Sequence, residues 1–205
     1  MKKKVTAFIV ILCFTISIIQ VFADITYTVR SGDTMWKIAV KHQVGLSEII
    51  AKNPHIKNPA LIYPGQKLTI PTTTAINNLE NEVIRLTNIE RSKKGLPALK
   101  ANWQLSRCAR YKSQDMINKN YFAHQSPTYG SPFDMIESFG IRMAAGSENI
   151  AMGQRTPKEV VAAWMNSPGH RGNILSTSYT EIGVGCAKNK NGTYYWTQMF
   201  IRPGR

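Results

Sequence analysis

The sequence predicts an α+β protein of two units, a small βααβ module followed by a three-layer α-β-α sandwich. Three observations carry this. Ile25, Tyr27 and Val29 alternate with polar residues, and Lys67 to Ile70 forms a second short strand, with two short helical stretches between them. From residue 79 to 164, apolar side chains recur at helical spacing. The last strand carries large apolar residues on both faces: Tyr194, Trp196 and Phe200 against Tyr195, Met199 and Ile201. A strand buried on both faces needs helices on both sides of its sheet.

The first unit spans residues 25–71. Ser31-Gly32-Asp33-Thr34 is a turn with capping side chains, and Trp36, Ile38, Ala39 and Val40 give the next helix a broad apolar face. Gly45 is expected to break that helix. Ser47 to Lys52 reads as a second helix ended by Asn53-Pro54, and Pro64-Gly65 turns the chain into its last strand. Residues 72–78 read as a polar linker. The second unit, 79–203, opens with a helix marked by Leu79, Val83, Leu86 and Ile89, with Gly95 at its end. Asn102 caps a helix bearing Leu105, Cys108, Ala109 and Met116. Ser131-Pro132 begins a third helix and Gly140 ends it. Thr156-Pro157-Lys158-Glu159 is a capping box for a fourth, which carries Val160, Val161 and Trp164. Asn191-Gly192 joins two strands, Ile182 to Ala187 and Tyr194 to Ile201.

With 43% apolar and 9% aromatic residues, the 205-residue chain has the composition of a folded protein, which excludes a disordered tail or a collagen-like fibre. Met1-Lys2-Lys3-Lys4, the uncharged apolar run from Val5 to Ile19 and Val21-Phe22-Ala23 read as a secretory signal peptide over 1–23, cut after Ala23. The alternative is an uncleaved membrane anchor, for which the run is near the lower length limit. Leu12 before Cys13 is not the small residue of a lipid-attachment site. Loss of Lys2, Lys3 and Lys4 takes the formal charge from +14 to +11. An exported protein of that charge is expected to meet anionic wall polymers rather than nucleic acid, with no stable membrane insertion after cleavage. Cys108 and Cys186 have no Cys-x-x-Cys spacing, and both sit in apolar patterns, which favours two buried thiols over a disulfide.

The stretch from Tyr27-Thr28-Val29-Arg30-Ser31-Gly32-Asp33-Thr34-Met35-Trp36, through Asn53-Pro54, to Ile62-Tyr63-Pro64-Gly65-Gln66-Lys67-Leu68-Thr69-Ile70-Pro71 resembles a LysM module. That resemblance implies binding of N-acetylglucosamine-containing glycans, peptidoglycan or chitin. The groove it implies lies between the loop after the first strand and the loop after the second helix. It carries over to Gly32, Asp33, Thr34, Asn53, Pro54 and Ile56, with His55 beside them; His42, in a polar stretch, reads as solvated.

From about Glu82 to Ile201 the chain resembles the CAP, or SCP-like, superfamily in its bacterial secreted branch. The motifs are Asn88 and Arg91, His124 before Ser126-Pro127, Glu148-Asn149-Ile150, Trp164 before Ser167-Pro168-Gly169-His170-Arg171, and Ile182-Gly183-Val184-Gly185. The resemblance implies a central cleft in which two His and two Glu can hold a divalent metal; His124, Glu148 and His170 match three of those positions. Both histidines are expected in loops that follow helices. The family's fourth ligand falls at Ser167 or a neighbour, while Glu159 and Asp134 have capping roles and Glu181 precedes a strand. Two imidazoles and one carboxylate can hold Zn²⁺ with water in the open position, a geometry that allows metal-activated hydrolysis. The other reading is a hydrogen-bonded polar cluster without metal. The sequence thus favours a secreted, wall-associated, non-enzymatic glycan-binding protein. A metal-dependent hydrolase of peptide or wall material and a lipid-binding CAP module are the alternatives.

Overall fold

A computed structural model describes residues 24–72 and 74–204. The leader read at 1–23 lies outside the described residues. The N-terminal module pairs β1 (Ile25–Thr28) with β2 (Lys67–Ile70) in antiparallel register, Tyr27 opposite Leu68, and packs α1 (Met35–His42) and α2 (Leu46–Lys52) on them. Its own core gathers Tyr27, Val29, Met35, Ile38, Val44, Ile49, Leu68 and Ile70. Thr34 caps α1 through its hydroxyl, which accepts the Lys37 N–H at 3.1 Å. Helix α1 ends not at Gly45 but at Gln43, which takes the left-handed conformation (φ 54°). Gly45 instead precedes α2 at an ordinary φ of −71°. Its missing side chain matters because a Cβ there would strike the guanidinium of Arg107.

Most of the stretch read as a linker is helical: α3 (Thr74–Ser92) begins within it. The remaining elements are β3 (Lys100–Ala101), α4 (Trp103–Asn118), α5 (Pro132–Ser138), β4 (Met143–Met152), α6 (Pro157–Asn166), α7 (Pro168–Leu175), β5 (Glu181–Lys188) and β6 (Tyr194–Pro203). The sheet order is β3-β5-β6-β4, so β6 is an inner strand and β4 an edge. Side chains alternate across it as expected. Trp196 and Phe200 pack with Val83, Val160, Trp164 and Ile174 of α3, α6 and α7, while Met199 and Ile201 pack with Leu105, Ala109, Met135 and Ile136 of α4 and α5. This is the three-layer arrangement.

Local chemistry explains the ends. Asn102 accepts the Leu105 N–H at 3.0 Å, and Ser131 with Asp134 forms a complete capping box. Thr156 caps α6, but Glu159 reaches past it to the Arg155 N–H at 2.7 Å, so the expected box is only half made. The hairpin loop is organised by Asn189, whose side-chain oxygen accepts the N–H groups of Asn191 and Thr193, with Gly192 at φ 85°. Cys108 and Cys186 are free, buried thiols in different layers.

Candidate functional site

The loop after α4 is tied down by one carboxylate. Asp115, near the end of that helix, accepts the hydroxyls of Tyr121 and Ser126 at 2.7 Å each and that of Thr128 at 2.6 Å. Burial opposes its ionisation, but these donors and the Lys112 ammonium outweigh it and hold the carboxyl below its ordinary range. Ser126 Oγ also accepts the N–H groups of Thr128 and Tyr129. The loop so fixed presents His124, whose Nδ1 stands 2.8 Å from Glu148 Oε1. With Glu148 ionised, Nδ1–H donates and Nε2 is left as the acceptor. The His124 side chain is 53% exposed and that of Glu148 only 2%. Burial pushes the Glu148 carboxyl above its ordinary range, against the pull of His124 and Lys112. Its Oε2 is buried and accepts no hydrogen bond from the described residues.

His170 is not in a loop. Pro168 occupies the first turn of α7, a favourable place for proline, and His170 follows within that helix. Alternation along β4 sends Glu148 toward α4 and Asn149 toward α7. Asn149 is wholly buried; its amide donates to the His170 carbonyl at 3.2 Å and to Gln198 Oε1 at 3.0 Å, and its oxygen accepts Asn173 at 2.8 Å. His170 thus has its backbone fixed on the α7 side of the edge strand. Desolvation and the proximity of His124 lower its pKa. Among the described residues no hydrogen bond joins it to His124 or Glu148.

In the N-terminal module the six glycan-site candidates divide. Gly32, Thr34 and Pro54 are exposed, and Gly32 has open space around it at φ 80°. Asp33 is half-buried, and its carboxylate accepts the Tyr27 hydroxyl at 2.7 Å and the Arg30 N–H at 2.8 Å. Asn53 has no exposure: its amide donates to the carbonyls of Ile49 and Thr69 and its oxygen accepts the Thr69 N–H, pinning the end of α2 to β2. Ile56 belongs to the core. His55 is exposed. His42 is not solvated as read; it stands edge-on to Tyr27 with Nε2 buried, and desolvation lowers its pKa.

Two family matches cover most of the described chain. LysM matches residues 27–71, and CAP, described as the cysteine-rich secretory protein family, matches residues 84–200, more than half of the sequence. The chain belongs to the CAP family and carries a LysM domain. It is 55% identical over 133 residues to the uncharacterized protein YkwD of Bacillus subtilis, covering 65% of this chain and 51% of that one. With the uncharacterized membrane protein YlbC of the same organism it shares 37% over 155 residues, covering 76% and 42%. The chain thus spans about half the length of the curated relatives it matches. Among solved structures, an extracellular protein containing an SCP domain from Bacillus anthracis aligns at 34% identity and TM-score 0.59, covering 68% of this chain and 47% of that one.

The CAP cleft does not fit a three-ligand metal site. Among the described residues no group of three His, Cys, Asp or Glu side chains is arranged to hold a metal ion. His124 and Glu148 are adjacent, but His170 is anchored from the other face of β4. The other acids are engaged elsewhere: Glu159 with Arg155, Asp134 with Ser131, and Glu181 with Asn102 at 2.7 Å. The group that sequence reasoning missed is Lys112. It falls on the helical stripe of Leu105, Cys108, Ala109 and Met116, and a lysine on an apolar stripe was the available signal.

Proposed function

We propose that this is a secreted, wall-associated protein whose LysM domain binds N-acetylglucosamine-containing glycan, peptidoglycan or a chitin-like polymer, and whose CAP domain is a non-enzymatic binding module. The observation that carries the reading is the division of the LysM loops. Gly32, Thr34 and Pro54 are exposed, while the polar side chains of Asp33 and Asn53 are satisfied internally. Such a surface recognises sugars through backbone groups and apolar contact, with Asp33 and Asn53 shaping the loops from within. The mature charge of +11 adds loose attraction to anionic wall polymers. Export agrees with the charged and apolar leader and with the extracellular Bacillus anthracis relative.

The experiment is sedimentation of the mature chain with insoluble peptidoglycan stripped of anionic polymers. Binding is expected to persist at about 0.5 M salt, where screening acts within a few ångström, and to be competed by soluble N-acetylglucosamine oligomers. Release by salt, together with indifference to the oligomers, would leave only charge attraction and remove the glycan reading.

The metal-dependent hydrolase reading needs a third ligand beside His124 and Glu148, and among the described residues no group of three such side chains stands together. The lipid reading has one observation in its favour. A surface groove of ≈ 420 Å³ between α3 and α6 is lined by Leu86, Ile89, Val161 and Met165, with Lys93 and Lys158 at its rim.

A further inference from the structure

Lys112 is 1% exposed, in the middle of α4 and on the side that faces the sheet. Its Nζ donates to the His124 carbonyl at 2.6 Å and to the Tyr121 hydroxyl at 3.2 Å, and lies 5.0 Å from the centroid of the Tyr121 ring. Two buried carboxylates, Asp115 and Glu148, interact with it electrostatically. An isolated ammonium in such a place is very costly, and so is each isolated carboxylate. Their opposite charges offset part of that cost, although burial still pushes the Glu148 carboxyl up and the Lys112 ammonium down. The same ammonium fixes the backbone of the residue whose imidazole meets Glu148.

We propose that Lys112 is the resident counter-cation of the CAP cleft, so that His124 and Glu148 are held in place by an internal ammonium rather than by a divalent metal. The charge already present decides the matter. A Zn²⁺ ion placed on Glu148 and His124 would face a fixed positive charge just behind the His124 backbone, in a region where screening is weak. It would also find two protein donors where stable zinc sites use three or four. The proposal stands apart from the glycan reading, since no LysM residue enters it.

Calorimetric titration of the mature full chain with zinc chloride tests it. Wild type is expected to show no saturable binding up to about 1 mM zinc. Lys112→Gln keeps a donor for the His124 carbonyl but removes the charge, and is expected to bind zinc at least about tenfold more tightly than wild type. Lys112→Arg keeps the charge and is expected to stay refractory. Saturable micromolar binding by wild type, with zinc-dependent shifts of the His124 and His170 imidazole protons by NMR, would overturn the proposal. So would a folded Lys112→Gln protein, judged by circular dichroism, that binds zinc no better than wild type. If Lys112→Gln does not fold, the wild-type and Lys112→Arg titrations still decide, because zinc binding by either one refutes an excluded cation.

Discussion

Glu80 is 2% exposed and accepts Arg110 Nε on both oxygens, at 2.8 and 3.0 Å, together with the Cys186 N–H at 3.1 Å. Burial pushes its carboxyl up to about 7, and the pairing with Arg110 offsets only part of that. Glu148 is raised for the same first reason. Between the ordinary value of 4.5 and about 7, the folded chain therefore holds a proton on Glu80 that the unfolded chain has released. The stability so gained is complete below 4.5 and is lost as pH rises through about 7, on the order of 3 kcal/mol for Glu80. Urea unfolding at about pH 5 and about pH 8 should show wild type losing stability across that interval. Glu80→Gln should lose less, by about 2 kcal/mol or more. Parallel losses in the two proteins would mean that Arg110 keeps Glu80 ionised throughout. Asp115 has the opposite sign: its depressed pKa contributes stability that is lost in acid, as pH falls below its ordinary value of 3.8.

Strand β5 shows what an element needs from glycine when φ is ordinary. A Cβ on Gly183 would strike the backbone of Leu105 and Ser106, and one on Gly185 the backbone of Ala109 and Arg110. Two residues apart, the glycines share the face toward α4 and let that helix lie flush on the sheet. Helix backbone cannot give way as a flexible side chain can. Gly185→Ala is therefore expected to destabilise by about 3 kcal/mol or more, at or above the upper end of ordinary overpacking. The expected sign is a lower urea midpoint at unchanged slope; an unchanged midpoint would show that α4 can lift without cost. The same elements show how far the sequence could be read. Large side chains at both parities of β6 revealed a two-sided sheet, and Asn102, Ser131 and Thr156 marked helix starts. Strand β4 went unread because Met143-Ala144-Ala145-Gly146-Ser147-Glu148-Asn149 is poor in β-branched and aromatic residues; pairing with β6 makes it a strand. Ser167-Pro168 was a readable helix start passed over as a loop, which misplaced His170. Asp33 and Asn53 were found by resemblance, but only burial and bonding show that they act inward.

At the scale of the whole molecule, the LysM and CAP domains have separate cores, and Arg107 and Tyr111 of α4 both bond across to Glu48. Arg107 of α4 bonds Glu48 at 2.9 Å and Ser47 at 3.2 Å, both in the first turn of α2, and lies over the rings of Tyr111 and Phe139 at 5.1 and 5.0 Å. Gly45 leaves room for the guanidinium. Cavities of ≈ 390 and ≈ 240 Å³ also lie where the domains meet; Arg110 lines both, with Glu48 in the larger and Gln43 in the smaller. Apolar packing there is thus incomplete, and the Arg107 latch carries much of the orientation. The pair is about four-fifths buried, at 19% and 21% side-chain exposure, so it is expected to exceed the ~0.2–1 kcal/mol of an exposed ion pair. Burial opposes ionisation of Glu48, but the Gly45 N–H and Arg107 outweigh it and hold the carboxyl below its ordinary value of 4.5. The latch is then complete above that value and weakens as pH falls below it. Arg107→Ala should leave both cores folded while freeing the LysM domain to move, read as a larger radius of gyration in small-angle scattering at neutral pH. Wild type should approach the variant's dimension only in acid. An unchanged radius of gyration in a folded Arg107→Ala protein would mean that α3, which starts two residues after Thr72, fixes the domains by itself.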